Sequence, residues 1–218
     1  MEKKKCAVIV CGGVIEGAFV LETIRNSKPK YIIAVDKGLE FLHQHNIKPD
    51  LIVGDFDSVR EDVVSHYLNK NIPIHQHDSR KESSDTELAI KVAIGLKFEK
   101  LLILGATGNR LDHFWSNVQS LKLALDIGVR GVILDSKNRI RLLNKEFALK
   151  KSESFGDYFS LFPLGEPVEN VILEGAKYPL KNETLTPWNS RCISNEIVEE
   201  RLKITFDNGV VVLMETRD

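Results

Sequence analysis

The sequence predicts an α/β parallel-sheet (Rossmann-like) N-terminal domain followed by a smaller all-β sandwich domain. Through the first two-thirds of the chain, short apolar runs alternate with segments whose apolar residues recur at helical spacing. Later in the chain the strand-like runs are separated by Gly, Pro, Asn and Asp, and no convincing amphipathic helix follows. We therefore expect one domain over residues 1–145 and a second over residues 146–218.

Several apolar runs of the first domain have the length and continuity of fully buried strands in a parallel sheet. They are residues 6–10, 31–35, 51–53, 72–74, 101–104 and 129–134. Ser84 and Glu87 form a capping-box pattern that predicts the start of a helix. A second helix is predicted by apolar residues at three- and four-residue steps, namely Leu111, Trp115, Val118, Leu121 and Leu125.

Strand-like runs in the second domain predict an antiparallel sandwich or half-barrel. These runs are residues 159–163, 168–173, 202–206 and 210–214. Asn208-Gly209 lies between the last two runs, and Asn-Gly is the preferred pair for a two-residue hairpin turn. The sequence therefore predicts a tight hairpin at this point.

Composition narrows the class of protein. The 218 residues are 43% hydrophobic, which excludes global disorder. The net charge is −1 and the sequence has no basic stripe, so nucleic acid is not favoured as a partner. The three cysteines show neither zinc-site nor disulfide spacing, which suits a reducing cytosol. No apolar run is long enough for a signal peptide or a bilayer span. We expect a cytoplasmic protein that acts on a small molecule, without membrane or nucleic-acid partners.

Glycine and aspartate are concentrated where the predicted strands end. Ligands of open parallel sheets bind outside the carboxyl ends of the strands, so these segments are the candidate site. The segments are Gly12-Gly13, Asp36-Lys37-Gly38, residues 54–58, Asp78 with Lys81 and residues 84–87, and residues 105–113. Five successive strand ends with this composition predict one binding edge.

Asp55 and Asp57 provide the physical case for a metal. At an extended strand end, residues two apart point to the same side, with carboxylates ~6–7 Å apart. Their repulsion, about 2–3 kcal/mol at an effective dielectric near 20, would be removed by a hard cation such as Mg²⁺. Asp36 and Asp85 lie at neighbouring strand ends and strengthen this interpretation. The alternatives are that Gly-Asp-Phe-Asp-Ser is a solvated turn and that Asp85 only complements a helix dipole.

The loop of residues 105–113 has the composition of a phosphate-binding segment. Its glycines allow backbone N–H groups to approach an anion, and Arg110 supplies a planar set of donors. It has neither the Walker A sequence nor a G-x-G-x-x-G fingerprint. Arg110 could instead form a helix-surface salt bridge, and Lys81 could meet either phosphate or solvent.

Histidines and a tryptophan offer further candidates. His75 and His77 have the spacing of a zinc-hydrolase pair, although no third and fourth His or Cys ligand is evident. His113 could be a general base or could bond to the backbone at the start of a helix. Trp188, beside Asn and Ser, could stack on a flat heterocycle or belong to the core.

Taken together, these motifs resemble those of the thiamine pyrophosphokinase (thiamine diphosphokinase) family, in its bacterial form. Gly-Asp-Phe-Asp-Ser at residues 54–58 and the Arg-x-Asp-His segment at residues 110–113 are the most specific matches. Corresponding segments occur in the same order across nearly the whole chain, at residues 36–38, 54–58, 81–85, 108–113, 176–180 and 194–196. Lys37 and Asn109 stand where the family usually has glycine.

The resemblance implies a homodimer that transfers the pyrophosphoryl group of ATP to thiamine, with an ATP- and Mg²⁺-binding first domain and a thiamine-binding, dimer-forming second domain. Catalytic roles are implied for Asp36, Asp57, Asp85, Arg110 and Asp112. ATP binding is implied for Gly13, Asp36, Lys81, Thr107, Gly108 and Arg110. The metal ligands would be Asp55, Asp57 and Asp85, and the thiamine contacts would be Ser194, Asn195 and Trp188. The remaining alternatives are a metal-dependent phosphohydrolase and a non-catalytic nucleotide- or thiamine-binding protein.

Overall fold

A computed structural model describes residues 6–68, 70–76 and 83–218 of the chain. His77, Asp78 and Lys81, three of the candidates above, lie outside the described residues. The chain folds into two compact units, Met1–Ser136 and Lys137–Asp218. The described part of the chain contains no helix long and apolar enough to cross a membrane.

Parallel strands form the centre of the first unit, in the order β4-β3-β2-β1-β5-β6. Their bounds are β1 Cys6–Val10, β2 Tyr31–Val35, β3 Leu51–Gly54, β4 Ile74–Gln76, β5 Lys100–Leu104 and β6 Arg130–Leu134. The neighbouring strands of this series pair in parallel, which confirms the predicted α/β class. The fourth strand begins at Ile74 rather than at Ile72, because Pro73 has no N–H to contribute to a ladder.

Helices connect these strands: α1 Gly17–Ser27, α2 Gly38–Gln44, α3 Glu61–Leu68, α4 Asp85–Gly95 and α5 Leu111–Asp126. The predicted cap of α4 is present, since the Ser84 hydroxyl accepts a hydrogen bond from the Glu87 N–H at 3.2 Å. The Glu87 carboxylate does not complete a capping box. It accepts a hydrogen bond from Ser83 and pairs with Lys91.

Only part of the predicted apolar face of α5 belongs to the core. Val118 and Leu121 are buried, whereas Leu111 and Trp115 are 72% and 43% exposed. A helix of 16 residues is ~24 Å long, while a five-residue strand such as β5 spans only ~17 Å. The helix is therefore longer than the strand it follows, and the exposed Leu111 and Trp115 lie at its beginning.

Antiparallel strands form the second unit. One set has the order β7-β13-β9 and the other the order β11-β10-β12-β8. The bounds are β7 Asn138–Leu143, β8 Phe147–Lys150, β9 Tyr158–Pro163, β10 Val168–Glu174, β11 Leu180–Leu185, β12 Arg201–Thr205 and β13 Val211–Thr216. Leu161 and Leu213 of the first set share one core with Leu173 and Leu202 of the second. This common core confirms the predicted β sandwich.

The predicted hairpin at Asn208-Gly209 is wrong. Strand β12 pairs with β10 and β8, whereas β13 pairs with β7 and β9, so the turn connects two different sheets. Hydrogen bonds to β10 explain the difference: the Asp207 N–H donates to Glu169 O at 3.2 Å, and Asn208 Oδ1 accepts from the Glu169 N–H at 3.4 Å. The turn is fixed to β10 instead of closing a two-stranded ladder.

Three strands of the second unit were not predicted. They are β7, β8 and β11, whose sequences mix charged and apolar residues. The sequence analysis placed β7 at the end of the first domain, and in the structure it is the first strand of the second unit.

Candidate active site

The candidate site lies at the carboxyl edge of the first-unit sheet, where strand order reverses. Strand β1 has β2 on one side and β5 on the other, which is the topological switch point of an open α/β sheet. The loops that follow β1 and β5 are bonded together there. Cys11 N–H donates to Leu104 O, Gly13 N–H to Gly105 O and Val14 N–H to Thr107 O, each at 2.8 Å.

Gly13 is required by this close approach of two backbones. A Cβ atom at Gly13 would lie 2.2 Å from Thr107 O and 2.5 Å from Gly105 O, distances that no side chain can occupy. The structure therefore brings together Gly13, Thr107 and Gly108, three of the residues assigned above to ATP. Gly105 and Gly108 both have positive φ, at 63° and 151°, which favours glycine at these positions.

Asp36 turns its carboxylate over the end of the adjacent strand. Its backbone is left-handed, with φ of 46°, and its N–H donates to Val53 O at 3.2 Å. Asp36 Oδ1 is buried beside Gly54, where an added Cβ would approach it to 2.3 Å. The carboxylate of Asp36 thus lies against Gly54, the residue that precedes Asp55. Lys37, which replaces a family glycine, is exposed and packs its Cβ over Gly12.

Asp55 and Asp57 belong to a turn and not to an extended strand end, so the geometry predicted for them is wrong. Phe56 between them has φ of 65°, and its ring packs against the core. The Asp57 N–H donates to Asp55 Oδ1 at 3.1 Å, and Val59 N–H closes the turn on Phe56 O at 3.0 Å. Asp55 is half-buried and Asp57 is exposed. Burial of Phe56 fixes the turn and leaves its two carboxylates at the surface of the site edge.

Glu40 anchors this turn from a neighbouring helix. Its Oε1 accepts a hydrogen bond from the Arg60 N–H at 2.8 Å, which joins α2 to the segment just before α3. The sequence analysis did not single out Glu40. Nothing in its local pattern distinguishes it from an ordinary first-turn acid of a helix.

Asp85 is half-buried in the first turn of α4, which contacts β1, β2 and β3. The next residue, Thr86, is buried and donates its hydroxyl to Cys11 Sγ at 3.5 Å. Burial, with a smaller contribution from the Asp36 charge, raises the pKa of the Cys11 thiol to about 12. Cys11 is therefore a neutral packing group that fixes the start of α4 against the end of β1. The sequence analysis did not single out Thr86 and missed this contact.

Arg110 and Asp112 bind each other at the start of α5. Arg110 Nε lies 3.2 Å from Asp112 Oδ1, and Arg110 Nη2 lies 2.5 Å from Asp112 Oδ2. The hydrogen bonds from Arg110 lower the pKa of the Asp112 carboxyl to about 2. Both side chains are largely exposed, at 70% and 64%, so a phosphate group would have access to the guanidinium.

The loop before Arg110 is held from inside by Asn117, which the sequence analysis also missed. Asn117 Nδ2 donates to Ala106 O at 2.9 Å, and Asn117 is only 7% exposed. A buried polar residue facing the core on a helix is the signal that could have revealed it.

Ser194 and Asn195 occupy a strained turn of the second unit. Ser194 has φ of 54° and is exposed, and its N–H donates to Ser160 Oγ at 3.1 Å. Asn195 is buried, and its carboxamide binds both backbone groups of Tyr178, accepting from its N–H at 3.0 Å and donating to its oxygen at 2.9 Å. Asn195 thus orients Tyr178, whose side chain is exposed. Trp188 is 78% exposed, so the interpretation of Trp188 as a core residue is wrong.

Comparison with known proteins identifies the family of this chain. Residues 24–130 match the model of the thiamin pyrophosphokinase catalytic domain, and residues 145–211 match that of the thiamin pyrophosphokinase vitamin B1 binding domain. The thiamine pyrophosphokinase of Bacillus subtilis is 31% identical over 187 residues, covering 85% of this chain and 87% of its own length. This chain belongs to the thiamin pyrophosphokinase family.

Solved structures of the thiamin pyrophosphokinase family share the fold of this chain. The crystal structure of the Bacillus subtilis thiamine pyrophosphokinase superposes with a TM-score of 0.86 at 29% identity, covering 98% of this chain and 100% of that one. The Geobacillus thermodenitrificans protein superposes with a TM-score of 0.83 at 27% identity, covering 98% of each chain. These similarities extend over both units.

The donor chemistry of the site fits a magnesium ion. Residues 6–68, 70–76 and 83–218 contain no preformed group of three His, Cys, Asp or Glu side chains arranged for a metal. Mg²⁺ does not require such a cage, because it is usually held by one or two carboxylates together with substrate phosphates and water. The half-buried Asp55 and the exposed Asp57 supply hard oxygen ligands of this kind. For the rival zinc site, His75 is exposed on β4, and no described residues assemble three ligands around it.

Proposed function

We propose that this chain is a thiamine diphosphokinase, which transfers the pyrophosphoryl group of ATP to thiamine and yields thiamine diphosphate and AMP. The observation that carries this proposal is the match to the thiamin pyrophosphokinase family over both units. The geometry supports it independently, because Asp36 lies beside Gly54, the residue before Asp55, and the glycine loop that follows β5 is bonded to the loop after β1 at the same sheet edge. Parallel α/β sheets bind ligands at this edge.

The described residues can bind a polyphosphate in two ways. Gly13, Thr107 and Gly108 allow the backbone to approach the phosphates closely. Arg110 presents an exposed guanidinium, which pairs with Asp112 until a phosphate competes for the same donors. We assign Lys81 to the polyphosphate as well.

Mg²⁺ would be held by Asp55, Asp57 and Asp85, and when bound it would offset negative charge on the phosphates and on the departing AMP. Asp36, whose Oδ1 is buried beside Gly54, supports Asp55 in this arrangement. Asp112 keeps Arg110 oriented at the entrance of the site. The contribution of these residues is positioning and charge neutralisation, as in phosphoryl transfer generally.

The reaction forms one P–O bond and breaks another. The hydroxyethyl oxygen of thiamine attacks the β-phosphorus of ATP, and the bond from that phosphorus to the oxygen bridging the α- and β-phosphates breaks. The bridging oxygen leaves with AMP. An alcohol can lose its proton late in such a displacement, so the mechanism requires no strong base.

Thiamine binding is assigned to the second unit, through Ser194, Asn195 and Trp188. Trp188 offers an exposed aromatic face to a cationic or planar heterocycle, and Asn195 acts by orienting the backbone of Tyr178. We also propose a homodimer. The second unit exposes large apolar side chains that a second copy would cover, namely Tyr178, Trp188, Ile193 and Val198. A cytoplasmic location is proposed because the described cysteines are free thiols.

One assay tests the proposed function against its two rivals. The protein is incubated with ATP, Mg²⁺ and thiamine, and the products are separated by chromatography. Formation of AMP and thiamine diphosphate in equal amounts is the expected result. Release of inorganic phosphate without an acceptor would identify a phosphohydrolase. Protection by ATP or thiamine against thermal unfolding, with no product, would identify a binding protein.

A further inference from the structure

The loop between β5 and α5 has its backbone oxygens turned into the protein. Gly105 O accepts from the Gly13 N–H, and Thr107 O accepts from the Val14 N–H, both at 2.8 Å. The intervening oxygen, of Ala106, accepts from Asn117 Nδ2 at 2.9 Å. Three successive carbonyls are therefore occupied by internal donors. Two of these donors are backbone groups, and the third is a single side chain.

The orientation of the carbonyls fixes the orientation of the N–H groups. In a planar trans peptide, the N–H of each residue points opposite to the carbonyl of the residue before it. The described peptide bonds are trans. The N–H groups of Ala106, Thr107 and Gly108 therefore point away from the internal donors. Across the described residues, none of these three N–H groups donates to a protein acceptor.

Successive backbone N–H groups without a protein acceptor can form a concave site for an anion. Thr107 and Gly108 are half-buried, so their N–H groups are the ones best placed for this role. This loop lies at the switch point of the sheet and continues into Arg110 and the first turn of α5. A helix start of this kind also favours negative charge. The chemistry of the loop fits a polyphosphate.

We infer that Asn117 is a positioning residue for polyphosphate binding, because it holds the Ala106 carbonyl inward and so keeps the Thr107 N–H available to a phosphate oxygen. The inference rests on the proposed function, since it concerns the same ATP site. Asn117 itself is buried, and its hydrogen bond to the loop goes to Ala106 O. Its amide must present nitrogen to Ala106, because a carbonyl oxygen can only accept.

Loss of the Asn117 donor would act on the anion site through the peptide between Ala106 and Thr107. A buried carbonyl without a partner is unfavourable, so this peptide would rotate toward solvent. Rotation would replace an N–H donor by a carbonyl oxygen at the phosphate position, where it would repel negative charge. The affinity for phosphate should therefore fall by more than the accompanying loss of thermal stability can account for.

The test compares Asn117→Asp and Asn117→Ala with Ser120→Ala. Aspartate has the shape of asparagine but, when ionised, has no N–H to donate. Ser120 is a matched control, because it is equally buried on the same helix and bonds only to Ser116 O. The readout is the affinity of the purified protein for inorganic tripolyphosphate with Mg²⁺, measured by calorimetry. We expect affinity to fall about tenfold or more in both Asn117 variants and to stay within about twofold in Ser120→Ala.

Two further readouts separate positioning from general damage. The KM for ATP should rise in the Asn117 variants while the KM for thiamine stays within about twofold of wild type. In the ¹H–¹⁵N spectrum of wild type, tripolyphosphate should shift the amide signals of Ala106, Thr107 and Gly108. Unmoved signals would refute the inference even if an Asn117 variant does not fold.

Unchanged tripolyphosphate affinity in a folded Asn117→Ala protein would overturn the inference, and so would unmoved amide signals in the wild type. Failure of the proposed function looks different. A protein that forms no thiamine diphosphate, yet loses tripolyphosphate affinity on Asn117→Asp, would refute the activity and still support the role of Asn117.

Discussion

Asp36 and Gly54 share a space in which only a glycine fits: a Cβ atom at Gly54 would lie 2.3 Å from Asp36 Oδ1. Gly54 also has φ of 152°, a conformation that side chains rarely adopt. Gly54→Ala should therefore displace the Asp36 carboxylate or the turn that begins at Asp55. We expect kcat to fall by about tenfold or more in steady-state assays. Strain in the folded state should also lower the free energy of unfolding by about 1–3 kcal/mol.

Gly95→Ala is the matched control for this change. Gly95 ends α4, and an added Cβ there would meet no atom within 4 Å. Alanine also favours the helix by up to about 1 kcal/mol. Activity should be unchanged and stability equal or higher. Equal kinetics for Gly54→Ala and Gly95→Ala would mean that the Asp36 position does not matter for turnover.

Asp57→Asn and Asp85→Asn should abolish turnover and leave the fold intact. Each change removes a charge from a partly exposed carboxylate, so neither leaves a cavity. The loss follows because an amide is a much weaker ligand for Mg²⁺ than a carboxylate. Activity as a function of Mg²⁺ concentration and the melting temperature are the measurements. Asp126→Asn, at the exposed end of α5, is the control and should behave as wild type. Wild-type turnover in either test variant would remove that carboxylate from the site.

The Arg110–Asp112 pair should determine the pH at which the Asp112 carboxyl titrates. The pKa of Asp112 is lowered to about 2, mainly by the hydrogen bonds from Arg110. A depressed acid pKa means that the pair is fully formed above the ordinary value of 3.8 and is lost only as pH falls through about 2. A ¹³C-detected titration of Asp112 should therefore show a midpoint near 2.

In Arg110→Ala the Asp112 midpoint should rise toward 3.8, because the donor that stabilises the charged form has gone. The same variant should use ATP about tenfold less well, as judged by kcat/KM. An Asp112 titration that is unaffected by Arg110→Ala would show that the two side chains do not pair in solution.

Glu215→Gln should destabilise the second unit strongly. Glu215 is fully buried and its carboxylate binds both Arg139 and Arg141, which are 22% and 19% exposed. Its removal leaves two guanidinium groups without their counter-charge in the sandwich, a loss of about 3–5 kcal/mol. Chemical denaturation gives the unfolding free energy directly. Glu183→Gln, which breaks the exposed pair with Arg191, should change it by less than about 1 kcal/mol.

Local sequence pattern was sufficient for the residues that the parallel sheet itself places at its edge. Asp36 and Asp55 follow buried strands directly, Gly13 comes three residues after β1, and strand order places all three at one edge. Contacts between distant residues were not predictable in this way. Thr86 and Cys11 are 75 residues apart, and either alone has an ordinary explanation as a helix-start or core residue. The turn at residues 55–57 was mispredicted because its shape depends on the positive φ of Phe56, which burial of that ring stabilises.

Strand β13 lies between β7 and β9 and pairs with both, so residues 211–216 join these two strands of the second unit. The ion pair between Arg139 and Glu215 joins positions 76 residues apart. During synthesis, β7 and β9 leave the ribosome long before the strand that separates them. Until then both present open ladder edges to any neighbouring extended chain. A nascent second unit should therefore depend on chaperones until its final strand inserts, and stalled translation before residue 211 should yield aggregates rather than a partly folded sandwich.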